Sequence, residues 1–95
     1  MKQKNYIRDM VHKEFLELRH TMENLFLEQW KNPELPCMEK VSSANLVSWL
    51  RKNDFQVTIG AHNIPTSFIA KSKPKVSGPN IGIIAEYDAL PGLGN

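Results

Sequence analysis

Residues 81–88 read IGIIAEYD, and this stretch decides the class of fold that the sequence predicts. Residues 81–85 are apolar without interruption, which is typical of a central strand covered on both faces. We therefore expect helices to pack on the sheet that contains this strand. Glu86 and Asp88 follow directly, and in open α/β sheets ligands bind beyond the carboxyl ends of such strands. The stretch predicts an α/β fold with a site after residue 85.

Two helices and two strands are predicted before this run. A helix is expected over residues 6–30 because its apolar residues recur at steps of three and four, the spacing of one helix face. These residues are Ile7, Val11, Phe15, Leu18, Met22 and Leu25. A second amphipathic helix is expected over residues 38–52, with Asn53 as its left-handed cap. Strands are expected over residues 55–59 and 67–71, so the predicted order is two helices followed by three strands.

The apolar face of the first predicted helix leaves two interpretations open. Phe26, Leu27 and Trp30 widen the stripe beyond the two positions of a coiled-coil seam, which favours packing onto a sheet. The alternative is a non-catalytic interaction module, in which the helix over residues 6–30 packs against a partner or forms a homodimer.

Composition narrows the classes of function. The 95 residues carry 12 Lys and Arg against 10 Asp and Glu, a net charge of +2, which is too small and too evenly spread to predict a nucleic-acid partner. No stretch has the roughly 18 consecutive apolar residues of a membrane-spanning helix. Cys37 is the single cysteine, so no internal disulfide is expected, and the default setting is a reducing cytoplasm.

Few residues have the spacing that catalytic chemistry requires. Glu86 and Asp88 would point to one face of a strand, where paired carboxylates can support a metal or transfer protons. The two helical histidines, His12 and His20, are eight positions apart, not the four of a helical zinc pair, so both are expected at the surface. His62 is expected to bond within its own turn, with a position lining a pocket as the alternative. Phosphate-binding, dinucleotide-binding and serine-elbow motifs are absent from the sequence.

Residues 83–94, IIAEYDALPGLG, resemble the zinc-dependent aminoacylase and carboxypeptidase superfamily, in its p-aminobenzoyl-glutamate hydrolase-like amidohydrolase branch. Two further segments resemble this branch in the expected order: NPEL at residues 32–35 and IPTSFIA at residues 64–70. The resemblance covers residues 15–94 and corresponds to the beginning of the catalytic domain. Residues 1–95 are thus expected to be the incomplete amino-terminal part of a larger metallopeptidase-like α/β catalytic domain.

The resemblance implies hydrolysis of amide bonds in small N-acyl amino acids or dipeptides, with zinc or another divalent metal in the full-length enzyme. Asp88 matches an aspartate that supports a metal-bound histidine without binding the metal itself. Glu86 matches the position where other branches carry that histidine. The flanking residues expected to form the binding loop are Tyr87, Pro91, Gly92 and Gly94.

The main metal ligands of this branch are implied to lie in a Cys-Gly-His run beyond the glycine turn. This sequence contains none of them, and Asn95 stands where the branch usually has a histidine. The chain alone is therefore expected to bind no metal and to be inactive.

Overall fold

The computed structural model describes residues 2–74 and 76–92, which form two helices and an antiparallel hairpin. Both predicted helices and the first two predicted strands are confirmed. The elements are α1 (Lys2–Lys31), α2 (Lys40–Lys52), β1 (Gln56–Ile59), a 3-10 turn (Ala61–Asn63) and β2 (Phe68–Lys71). None of the helices within these ranges is both long and apolar enough to cross a membrane.

The hairpin is covered by α2. This helix contacts both strands, whereas α1 packs against α2. The prediction that α1 packs onto the sheet is therefore wrong, because α2 covers the hairpin. Val47 of α2 is 4% exposed and is the buried apolar residue of the described chain. It is accompanied by three buried polar residues, Ser42, Ser43 and Thr66. Much of the apolar stripe of α1, including Val11, remains exposed.

The carboxyl end of α2 differs in detail from the prediction. The left-handed residue is Asp54, with φ of 67°, whereas Asn53 has φ of −103°. The Phe55 amide donates to the Leu50 carbonyl at 3.1 Å and the Asp54 amide to the Arg51 carbonyl at 3.2 Å. This pair of bonds defines a Schellman motif whose left-handed position comes one residue later than expected. The Asn53 side chain donates to the Trp49 carbonyl at 2.8 Å.

The strands β1 and β2 pair in antiparallel register, with Gln56 opposite Lys71 and Ile59 opposite Phe68. The connection between them is closed by the Gly60 amide, which donates to the Ser67 carbonyl at 2.8 Å. Gly60 has φ of 78°, a left-handed conformation that glycine adopts without a steric penalty. The connection therefore brings Thr66 next to the start of β2.

The third predicted strand is not formed. Residues 81–85 have no regular structure, and Ile83 and Ile84 are 88% and 96% exposed. A strand that is apolar on both faces needs a covering layer on each side. The described residues supply one such layer, α2, and α2 covers β1 and β2.

Candidate functional site

Residues 86–92, which are part of the segment that carries the family resemblance, form neither helix nor strand and are here called the acidic loop. Two of its residues are hydrogen bonded to distant parts of the chain. The Tyr87 hydroxyl donates to the Thr66 carbonyl, and the Ala89 amide donates to the Glu34 carbonyl at 2.7 Å. Asp88 lies between these two anchored residues, so its backbone is held on both sides.

The aromatic ring of Tyr87 adds a packing contact to the first anchor. It stacks on Phe68 at the start of β2, with ring centroids 5.8 Å apart and planes inclined by 19°. Stacked aromatic pairs of this kind contribute about 0.5–1.5 kcal/mol beyond their area burial. The acidic loop is thereby attached to the hairpin as well as to the Thr66 connection.

A polar cluster surrounds the Tyr87 hydroxyl. The buried Thr66 hydroxyl donates to Glu39 Oε1 at 3.1 Å, which brings this carboxylate towards the phenol. Partial burial raises the pKa of Tyr87; the hydrogen bond with the Ser43 side chain acts in the opposite direction, and the negative charge of Glu39 raises the pKa further. The phenol is thus held in its neutral, hydrogen-donating form.

The second anchor, Glu34, also binds the amino terminus of α2. Its carboxylate accepts hydrogen bonds from the Val41 amide at 3.0 Å and the Ser42 amide at 2.7 Å. The residue in the N-cap position, Glu39, makes no side-chain capping bond. Glu34 lies outside the helix and accepts hydrogen bonds from the Val41 and Ser42 amides. These are the helical positions to which an N-cap side chain normally bonds.

The ionisation of Glu34 reflects these contacts. Burial is the largest single influence on its pKa and raises it, but the hydrogen bonds from Val41, Ser42 and Lys40 together outweigh burial, so the pKa is lowered. The carboxylate is consequently charged at neutral pH, as suits the positive end of a helix dipole.

The carboxylates that the sequence singled out are exposed. Glu86 and Asp88 both face solvent, and because the segment is irregular, the strand geometry that was to align them does not apply. Pro91 and Gly92 form an exposed turn in which Gly92 has φ of 74°. Gly94, also predicted to belong to the binding loop, lies outside the described residues, as does Asn95.

The metal-ligand chemistry of the described residues is limited. Within residues 2–74 and 76–92, no group of three or more His, Cys, Asp or Glu side chains comes together as a metal site. His12 and His20 are at the surface, as predicted, and His62 and Cys37 are exposed too. These residues do not by themselves fit a metal ion.

A groove of about 820 Å³ lies between α2 and the connection that precedes β2. Its apolar lining includes Val47, Ile59 and Pro65, and its charged lining residues are all cationic: Lys40, Arg51 and Lys52. Ser43 and Thr66, which surround the Tyr87 hydroxyl, also line it. The groove thus combines apolar surface with positive charge beside the first anchor of the acidic loop.

Sequence reasoning identified the acidic loop but missed the residues that hold it. Glu34 was visible as part of the NPEL segment and Thr66 as part of the IPTSFIA segment, yet neither had an assigned role. The signal available was their inclusion in the two supporting segments of the resemblance.

Removal of the Tyr87 hydroxyl tests the first anchor. Tyr87→Phe keeps the ring stacked on Phe68 but leaves the Thr66 carbonyl without its donor, so we expect a loss of about 1 kcal/mol in unfolding free energy. The folded-state pKa of Tyr87 is raised. The neutral phenol therefore stabilises the folded chain below about pH 10, and this stabilisation is lost as pH rises through the folded-state pKa. Urea unfolding at neutral and alkaline pH measures both effects. Tyr6→Phe, at an exposed position of α1, is the matched control, and equal effects of the two variants would contradict the anchor.

Comparison with known proteins identifies a bacterial hydrolase as a relative. No protein-family model matches the chain. The chain is 41% identical over 64 residues to a subunit of the p-aminobenzoyl-glutamate hydrolase of Escherichia coli (strain K12). The match covers 67% of this chain and 13% of the relative. This homology confirms the predicted resemblance to the p-aminobenzoyl-glutamate hydrolase-like branch, and the chain corresponds to a small part of the relative's length.

Proposed function

From its homology to a segment of an amidohydrolase, we propose that the chain is the amino-terminal part of the catalytic domain of a metal-dependent amidohydrolase. The proposed reaction is hydrolysis of an amide bond in a small N-acyl amino acid or dipeptide. The observation that carries the proposal is the 41% identity over 64 residues with the bacterial hydrolase. The anchored acidic loop supports it, because a residue that orients a catalytic group needs a fixed backbone.

Within this proposal, Asp88 supports a metal-bound histidine and Glu86 lies at its side. The metal ligands come from outside the described residues, which do not form a metal site of their own. Zinc or another divalent metal, when bound in the whole enzyme, supplies the activation of water that amide hydrolysis requires. The exposed thiol of Cys37 suits a reducing compartment, so the cytoplasm is the proposed location.

The groove beside α2 supports the proposed substrate class. An N-acyl amino acid has a carboxylate and often an apolar acyl or aromatic group. The carboxylate would meet the positive charge of Lys40, Arg51 and Lys52, and the acyl or aromatic group would contact the apolar lining of the groove.

The exposed face of α1 favours a second candidate function. Several of its large apolar residues are exposed, including Val11, Phe15 and Met22, which is typical of a surface that meets another protein. In this alternative, α1 serves a non-catalytic interaction module or a homodimer. Sedimentation over a concentration range distinguishes the two: reversible, concentration-dependent association favours the module, and a monomer over the whole range favours the part of a larger domain.

The isolated 95-residue chain provides a test of the metal proposal. We expect it to bind no zinc stoichiometrically after dialysis and to hydrolyse no p-aminobenzoyl-glutamate, because a catalytic zinc needs three protein ligands. Metal analysis and product detection by chromatography measure these properties. Stoichiometric zinc together with chelator-sensitive hydrolysis would overturn the proposal that the ligands come from elsewhere.

A further inference from the structure

Glu34 occupies a special position between two parts of the proposed site. Its side chain binds the first turn of α2 through the Val41 and Ser42 amides. Its backbone carbonyl accepts the amide of Ala89, the residue after Asp88, at 2.7 Å. One residue therefore joins the start of a helix to the acidic loop.

The two contacts of Glu34, one through its side chain and one through its carbonyl, depend on the same backbone conformation. Glu34 lies in an irregular segment between α1 and α2, where backbone geometry is not fixed by a ladder of hydrogen bonds. Holding its carboxylate on two amides of α2 restricts the backbone of residue 34, and with it the direction of the carbonyl. The Ala89 amide can form a short, directed bond only if that carbonyl points towards it.

We propose that Glu34 is a positioning residue, which fixes Asp88 relative to α2 by capping the helix with its side chain and holding Ala89 with its carbonyl. The functional meaning of this arrangement rests on the proposed role of Asp88. The arrangement itself does not, and it can be tested in the chain without any assay of activity.

The test uses Glu34→Gln in the 95-residue chain. The carbonyl of residue 34 is unchanged, but the carboxylate accepts the Val41 amide on Oε2 and the Ser42 amide on Oε1, and glutamine replaces one of these oxygens with a donor NH₂ group, so this arrangement is lost. We expect hydrogen exchange at the Ala89 amide to accelerate about tenfold relative to the Gly60 amide, which is bonded to Ser67 outside this arrangement. Exchange measured by nuclear magnetic resonance reports both amides in the same sample.

The ratio of the two exchange rates separates positioning from general destabilisation. If Glu34 merely stabilises the fold, exchange at Ala89 and Gly60 will accelerate by the same factor, and that result would overturn the proposal. Faster exchange at Val41 and Ser42 with none at Ala89 would overturn it as well.

Two further variants complete the design. Glu17→Gln makes the same chemical change at an exposed position of α1 and should leave the ratio unchanged. Glu34→Asp keeps both acceptor oxygens, so it should restore part of the protection at Ala89. If Glu34→Gln changes the exchange ratio as expected but an enzyme that contains this chain hydrolyses no amide substrate, only the proposed function is contradicted. The failure of the positioning proposal and the failure of the proposed function can therefore be told apart.

Discussion

Replacing Val47 with aspartate is expected to abolish cooperative folding of the chain. Val47 lies on α2, the helix that contacts both strands of the hairpin, and at 4% exposed it is the buried apolar residue of the described chain. A carboxylate there would lose its hydration and the apolar contacts of the valine, at a cost of about 4 kcal/mol, which an ion pair with Arg51, four residues further along α2 and in the same groove, would offset only in part. Small domains have about 5–15 kcal/mol of stability in total, and a core this small places the chain at the low end. Thermal unfolding followed by circular dichroism should show no sigmoidal transition.

The neighbouring position provides the control for this prediction. Ser48→Asp adds the same charge to the exposed side of α2, where surface substitutions usually change stability by less than about 0.5 kcal/mol. A cooperative transition in Val47→Asp, close in midpoint to that of Ser48→Asp, would show that the contact between α2 and the hairpin does not hold the chain together.

Substitution of Asp88 is expected to have the largest effect on catalysis. The suitable background is a chimera of the p-aminobenzoyl-glutamate hydrolase in which this chain, carried through Gly94, replaces the matching part of the bacterial protein, so that the position of Asn95 keeps the bacterial residue. If Asp88 orients a metal-bound histidine, Asp88→Asn should lower the rate of hydrolysis about 10–100-fold, the usual loss when such a supporting residue is changed. Steady-state hydrolysis of p-aminobenzoyl-glutamate measures the effect.

Asp54→Asn is the matched control for this variant. It makes the same chemical change at an exposed, left-handed position after α2, and asparagine tolerates that conformation. Equal rates in the Asp88→Asn and Asp54→Asn chimeras would remove Asp88 from the proposed site.

The elements that the sequence predicted correctly are those specified by local patterns. The helical period identifies α1 and α2, and alternation identifies β1, because each pattern depends on residues a few positions apart. Residues 81–85 show the limit of this reasoning. Their apolar run has the composition of a buried strand, but burial depends on layers that other parts of a domain must provide.

The contacts that hold the acidic loop could not be predicted in the same way. Tyr87 and Thr66 are 21 residues apart, and Thr66 and Glu39 are 27 apart. No periodic pattern specifies such pairs, because they arise only after the hairpin has brought its connection to α2. The resemblance drew attention to Asp88 through sequence similarity, whereas the anchors on either side became visible only in three dimensions.

The activity of the unmodified chimera tests the central proposal most directly. If this chain is a working part of an amidohydrolase catalytic domain, the chimera should hydrolyse p-aminobenzoyl-glutamate within about tenfold of the natural hydrolase, a difference of about 1.4 kcal/mol in the activation barrier, and a chelator should abolish the reaction. A chimera that folds and assembles normally but has no detectable hydrolysis would contradict the account.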